Sequence, residues 1–253
     1  MKNQITEILK DKKKLRQLGF VIIDTEKILK DLLNCGFSLK YFLYTQDTEN
    51  LIKKYNIKEN LLKVKPSLIN KLSSVENNRG FIAVFQIPQD NKLIAENEKQ
   101  LILFDTIQDP TNVGAMIRTG LAFGFDSYLF LDSVYIFNDK TIRASAGTCF
   151  MVKYLDVILD DIKKLKNKKY RIIITDNEKG EDIKDIMKYF EDKFILVFGN
   201  EGSGIRDEIK TISDISVNIR YPNKKVESLN VANAASILFY EIYNIIKIFK
   251  KIF

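Results

Sequence analysis

Phe194-Ile195-Leu196-Val197-Phe198-Gly199-Asn200-Glu201-Gly202-Ser203-Gly204 is the stretch that decides how this chain is built. Five apolar residues in a row leave no polar face for water, which suits a strand covered on both sides within a parallel sheet. The glycines that follow permit unusual dihedrals and a close approach of backbone to a ligand. Their positions, 199, 202 and 204, do not fit the Gly-x-Gly-x-x-Gly dinucleotide fingerprint. Nor is this a phosphate loop, because no Gly-Lys-Ser/Thr follows. A plain strand-to-helix turn reads the same way, so the loop alone assigns nothing.

Working outward, Leu101-Ile102-Leu103-Phe104, Tyr128-Leu129-Phe130-Leu131 and Ile172-Ile173-Ile174 are further continuous apolar runs. Helical patterns over 112–123, 157–166, 182–190 and 230–251 separate or follow them, which predicts an open α/β domain with a parallel sheet over 101–253. Ahead of it, short apolar runs at 20–23, 39–45, 61–64 and 80–86, with a helix over 26–33, predict a second, smaller α/β domain over 1–88. The polar, proline-initiated stretch from Pro88 to Gln100 predicts a linker over 89–100.

In open parallel sheets ligands bind beyond the carboxyl ends of strands. Besides the glycine loop, two segments lie where that rule directs attention. Asp105-Thr106-Ile107-Gln108-Asp109-Pro110-Thr111-Asn112-Val113-Gly114-Ala115-Met116-Ile117-Arg118-Thr119 leaves a strand, turns at Asp109-Pro110 and enters a helix. Gly114, Ala115 and Arg118 share a helix face, so small neighbours would let the guanidinium reach back toward Asn112. An ordinary capped helix with a surface arginine has the same pattern. In Val226-Glu227-Ser228-Leu229-Asn230-Val231-Ala232-Asn233-Ala234-Ala235, Ser228 or Asn230 caps a helix whose free N–H groups and positive end suit an anion. Leu238, Ile242, Ile245 and Phe249 continue one apolar stripe along it.

The 253 residues contain no histidine, which removes Ser-His-Asp and Cys-His catalysis, imidazole bases and histidine-ligated zinc. Cys35 and Cys149 lack metal-ligand spacing, and their apolar neighbours predict inert core thiols. The net charge of +7 is uneven: residues 1–90 carry 16 Lys/Arg against 10 Asp/Glu, the remainder 24 against 23. A basic front part suits a polyanion such as a phosphate backbone, although a lysine-rich solvated surface has the same composition. The opening Met1-Lys2-Asn3-Gln4-Ile5-Thr6-Glu7 has no apolar signal core, and the run 231–240 is too short to span a bilayer. A cytoplasmic location is the expectation.

Taken in order, Asn112-x-Gly-Ala-x-x-Arg118-Thr, Gly199-Asn-Glu-Gly202 and Glu227-Ser-Leu-Asn-Val231 resemble the three signature motifs of the SpoU (TrmH-like) RNA methyltransferases of the SPOUT superfamily. Arg143-Ala144-Ser145-Ala146-Gly147 resembles a segment common between the first two, and residues 12–88 resemble the ribosomal-protein-like substrate-binding domain often placed ahead of the catalytic one. The resemblance covers nearly the whole chain. It implies a C-terminal α/β domain threaded into a trefoil knot, a homodimer, no metal, and S-adenosylmethionine held by backbone around Gly199, Ile219 or Arg220, and Leu229. It implies a catalytic group of Arg118, Asn112, Glu201, Ser228 and Asn230, acting on a ribose 2′-hydroxyl of RNA, ribosomal RNA ahead of transfer RNA.

The family proposal for the arginine is a base, but a guanidinium keeps its proton in proteins, so polarisation of the hydroxyl and anchoring of phosphate suit Arg118 better. Glu201 is then the proton acceptor or the group that orients Arg118. Two departures stand out: Ile219-Arg220-Tyr221-Pro222-Asn223-Lys224-Lys225 lacks the family's glycine, which leaves Ile219 and Arg220 both open as the cofactor contact, and Asp24-Thr25 replaces a common Glu-Gly. The alternative reading is an RNA-binding protein of the same fold without catalysis.

Overall fold

The computed structural model describes residues 2–73, 78–87, 98–176, 180–183, 185, 193–222, 225 and 228–252. Its contacts divide the chain into two compact units, Met1–Asp90 and Asn91–Phe253. The expected linker lies outside the described residues up to position 97, and Gln100 already opens a strand.

The first unit has a four-stranded sheet of β1 (Phe20–Ile23), β2 (Ser38–Tyr44), β3 (Leu61–Lys63) and β4 (Phe81–Gln86), in the order β1-β4-β2-β3. Its helices are α1 (Lys2–Lys10), α2 (Lys12–Leu18), α3 (Glu26–Asn34), α4 (Asn50–Lys54) and α5 (Pro66–Leu72). β4 pairs antiparallel with β1 and β2, while β2 and β3 run parallel. Phe81-Ile82-Ala83-Val84-Phe85 is buried throughout, as expected for a strand with neighbours on both sides. Asp11 caps α2 by accepting from the backbone N–H groups of Lys13 and Lys14, and Gly19 ends the helix in the left-handed region.

The second unit is a sheet of seven strands, every pairing parallel, in the order β7-β6-β5-β10-β8-β11-β9. They are β5 (Gln100–Asp105), β6 (Ser127–Leu131), β7 (Lys153–Asp156), β8 (Arg171–Thr175), β9 (Glu181–Asp182), β10 (Phe194–Phe198) and β11 (Ile215–Asn218). The accompanying helices are α6 (Pro110–Ala122), α7 (Asp139–Ala144), α8 (Leu159–Asn167), α9 (Asp207–Ile212) and α10 (Val231–Ile252). Leu101, Leu103, Ile195, Val197, Ile172 and Ile174 pack with Ile162 and Ile209 in one core cluster. β5 and β10 are adjacent and central, so the chain segments leaving them emerge side by side.

Two expectations need correction, and two strands were not foreseen. The helical pattern over 182–190 meets a strand at Glu181–Asp182, which lies on the sheet edge beside β11; Ile183 and Asp185 follow in a turn, and positions 184 and 186–190 are outside the described residues. Edge strands are short and charged, which hides them from periodicity. β7 and β11 escape reading for a similar reason: one is an exposed edge, the other a four-residue strand of alternating burial. Cys35 is exposed, because α3 ends at Asn34 and leaves the thiol at the cap, whereas Cys149 is buried.

Burial pushes the Cys149 thiol up to about 12, only partly opposed by a hydrogen bond with Ser145. A thiol needs its thiolate to react. In native buffer at pH 8, a chromogenic disulfide reagent should therefore titrate one thiol per chain, at Cys35, and the second only after unfolding. Two equally fast thiols would contradict this packing.

Candidate active site

Beyond the carboxyl ends of β8, β10 and β11 lies a cavity of about 630 Å³, where the sheet topology directs a ligand. Its wall is built from Thr175 at the end of β8 and Asp176 after it, the loop from Gly199 to Ile205 after β10, Ile219 and Tyr221 after β11, and Ser228 to Val231 entering α10. Four distant segments thus share one crevice.

The glycine loop closes tightly on itself. The backbone N–H of Asn200 donates to the Gly204 carbonyl (3.0 Å), and that of Gly204 donates back (2.9 Å). The Asn200 side-chain oxygen accepts from the N–H groups of Gly202 (2.9 Å) and Ser203 (3.2 Å). A Cβ at Gly199 would lie 2.4 Å from the Gly204 carbonyl carbon and 2.5 Å from the Ile205 nitrogen, so only glycine admits this fold-back.

Side chains from three segments meet beside the cavity. Asn230 Nδ2 donates to Asn112 Oδ1 (3.1 Å), and Asn112 Nδ2 donates to Glu201 Oε1 (2.6 Å). The polarity of this chain is fixed at both ends. A carboxylate can only accept, so Asn112 must turn its amide nitrogen toward Glu201 and its carbonyl toward Asn230. Asn230 in turn keeps its oxygen for the N–H groups of Ala232 (2.9 Å) and Asn233 (3.4 Å), which makes it the N-cap of α10. Asn112 is buried on the first turn of α6, while Glu201 and Asn230 are exposed to the cavity side.

The expected residues fall into two groups. Gly199, Glu201, Ile219, Ser228, Leu229 and Asn230 line the cavity, and Asn112 bonds two of them. Arg220 does not line it; its Nε lies 3.9 Å from Asp182 Oδ2 at the sheet edge. Arg118 is also outside the lining, exposed on α6. The expectation that Gly114 makes room for the guanidinium is corrected: a Cβ there would come within 2.7 Å of Ala144 Cβ and the Thr141 carbonyl oxygen, so the missing side chain serves the packing of α6 against α7.

Sequence reasoning missed the groups that hold the loop. Asp105, fully buried at the end of β5, accepts from the backbone N–H (2.8 Å) and Nε (2.6 Å) of Arg206, whose other arm reaches Asp132 Oδ2 (3.0 Å). Burial alone would pull the Arg206 guanidinium down, but Asp132 and Asp105 outweigh it and hold it above its ordinary value. Asn200 Nδ2 donates to the Thr106 carbonyl (2.9 Å). One signal was available: a lone carboxylate ending an apolar run requires a buried partner. Among the described residues no group of three or more His, Cys, Asp or Glu is placed to hold a metal ion, and no helix is long and apolar enough to cross a membrane.

Comparison with known proteins adds an independent line. The model of the SpoU rRNA Methylase family matches residues 99–240. An uncharacterized tRNA/rRNA methyltransferase of Borreliella burgdorferi is 32% identical over 78% of this chain and 92% of its own length. The 23S rRNA (guanosine(2553)-2′-O)-methyltransferase of Bacillus subtilis is 27% identical over 92% of both chains. Among solved structures, the AdoMet-bound rRNA methyltransferase of Sinorhizobium meliloti superposes with a TM-score of 0.81 at 20% identity, covering 96% of this chain and 95% of that one. At that identity the structural likeness is one of fold.

The loop geometry gives a paired test. Gly199→Ala should cost about 1–3 kcal/mol or more through overpacking against backbone, measured by urea denaturation. Gly202→Ala, whose Cβ would meet only Asn200 Oδ1 at 3.5 Å, should leave stability near wild type. Equal losses at the two positions would contradict the fold-back.

Proposed function

The chain belongs to the SpoU rRNA methylase family, and on that premise we propose that it methylates the 2′-hydroxyl of a ribose in ribosomal RNA, with S-adenosylmethionine as donor. The observation that carries the reading is the Asn230–Asn112–Glu201 hydrogen-bond chain beside a cavity of suitable size. The Bacillus subtilis relative has this reaction in its name, and the Sinorhizobium meliloti structure contains the donor.

The cavity fits such a donor on its own terms. Apolar residues such as Ile174, Val217 and Leu238 line it together with polar ones such as Asp176, Asn200 and Asn230, the mixture that a flat ring and a charged tail require. Ile219, which faces the cavity, is the better choice than Arg220 for the contact after β11. When bound, the donor supplies a methyl group already activated on a sulfonium.

The residues of the chain then have three tasks: alignment, proton removal and exclusion of water. Glu201, held by the Asn112 amide, accepts the proton of the 2′-hydroxyl directly or through water. Asn112 is itself oriented by Asn230, so the cap of α10 sets the direction of the carboxylate. Ser228, which also lines the cavity, positions the hydroxyl. Arg118 stabilises the developing alkoxide or the neighbouring phosphate.

Its exposure is understandable in a homodimer. Thr119 lies within 3.5 Å of Ser236 on α10, and Phe123 stacks edgewise on Tyr240, whose neighbours Ile237 and Tyr243 are exposed as well. Pairing of two chains through this apolar face would place Arg118, exposed on the helix that Phe123 caps, near the interface. The same reading includes threading of the C-terminal segment into a trefoil knot, binding of RNA by the basic first unit, and action in the cytoplasm.

Two variants and one product analysis test this. Arg118→Ala should abolish methyl transfer from labelled S-adenosylmethionine to rRNA while calorimetric donor binding stays near wild type. Glu201→Gln should lower kcat about 10²–10⁴-fold, the usual worth of a general base. Nucleoside mass spectrometry should find the methyl on ribose; a base-methylated product, or full turnover in Arg118→Ala, would overturn the assignment.

A further inference from the structure

The loop from Glu201 to Gly204 is exposed at every position, so no buried side chain of its own gives it shape. Hydrogen bonds within the loop close it on itself, and two tethers fix where it sits. Asn200 ties the start of the loop to the Thr106 carbonyl, and Arg206 ties its end to Asp105 and Asp132. Thr106 and Asp132, each one residue past its strand, both sit in the left-handed region, with φ of 56° and 50°. That conformation is costly for a side chain, above all a β-branched one, and persists only where surrounding contacts over-determine it. Each of these two strained positions receives a tether of the loop, Thr106 from Asn200 and Asp132 from Arg206.

We infer that Arg206, together with Asn200, is a positioning residue for the methyl-donor site: it straps the glycine loop across the ends of β5 and β6 and thereby holds Glu201 against Asn112. The inference rests on the proposed function. Arg206 does not line the cavity, so its influence reaches the donor only through the loop. The carboxylate of Asp105 takes both the backbone N–H and the Nε of Arg206, which fixes the loop's exit in position and direction together. The outer arm to Asp132 then ties that exit to the neighbouring strand end.

The test compares Arg206→Lys with wild type. Lysine keeps a positive charge near the buried Asp105 but lacks the fork that spans both carboxylates. The expected result is a Kd for S-adenosylmethionine about tenfold weaker and kcat at saturating donor about tenfold lower, the scale of a small misplacement at a reacting centre, with RNA affinity unchanged. A purely structural role would lower the thermal midpoint and leave donor Kd and kcat, measured well below that midpoint, at wild-type values; that result overturns the inference. Should Arg206→Lys fail to fold, Asp132→Asn weakens only the exposed outer arm, leaving a neutral hydrogen bond in place of the ion pair. It should weaken donor binding about threefold, and wild-type donor affinity there overturns the inference equally. Absence of donor binding by the wild-type protein would remove the function itself, and the strap with it, whereas donor binding untouched by these variants removes the strap alone.

Discussion

Everything around the cavity depends on how one buried charge is neutralised. Asp105 ends the central strand β5 with no exposed surface, and an unpaired carboxylate there would be untenable. Its partner comes from 101 residues further along the chain, immediately after the glycine loop. Removing one member of such a pair costs about 3–5 kcal/mol, because the other is left charged and dry. The native chain must therefore bring the exit of the glycine loop to the end of β5, and β10 falls into place beside β5 as it does so. The ion pair acts as a registration mark between the first motif and the second.

The amide chain from Asn230 through Asn112 to Glu201 extends that registration to the third motif. Each link admits one polarity, because a carboxylate terminates it on one side and the N–H groups of a helix start terminate it on the other. Three segments are thus held by groups that cannot be exchanged without leaving a donor facing a donor. A single asparagine at position 112 can serve as the hinge of this arrangement because it is buried on the first helical turn, where its side chain has little freedom.

How much of this was legible follows from the range of each signal. Phe194–Phe198 was readable to the residue because continuous burial leaves a continuous apolar run, and Phe20–Ile23 was readable because it is apolar on both faces although its burial alternates. The strands β9 and β11, short and near an edge, leave no such trace. Cys35 was misread for a local reason: Leu33 and Phe37 suggest an interior, but the helix stops between them. At the site, Glu201, Ser228 and Asn230 could be placed at one crevice because strand ends and a helix start have sequence signatures, and the ordered motifs reinforced them. Arg206 with Asp105, and Asn200 with Thr106, join positions 101 and 94 residues apart, and a single sequence contains no pattern at that distance. The function of Gly114 was misassigned because helical spacing shows which residues share a face but not which neighbour that face meets.

The all-parallel sheet also sets when this site can exist. Phe194 pairs with Gln100 and Phe198 with Phe104, so β5 lacks its central neighbour until almost a hundred further residues have been made. Loop-closure entropy must be met before such a pairing stabilises anything, and folds dominated by non-local contacts assemble slowly. During synthesis the first unit, whose strands all lie within residues 20–86, can close while the apolar edge of Leu101–Phe104 still waits. The nascent second domain is then at its most vulnerable to aggregation or chaperone capture between the emergence of β5 and the arrival of β10, an interval written into its topology.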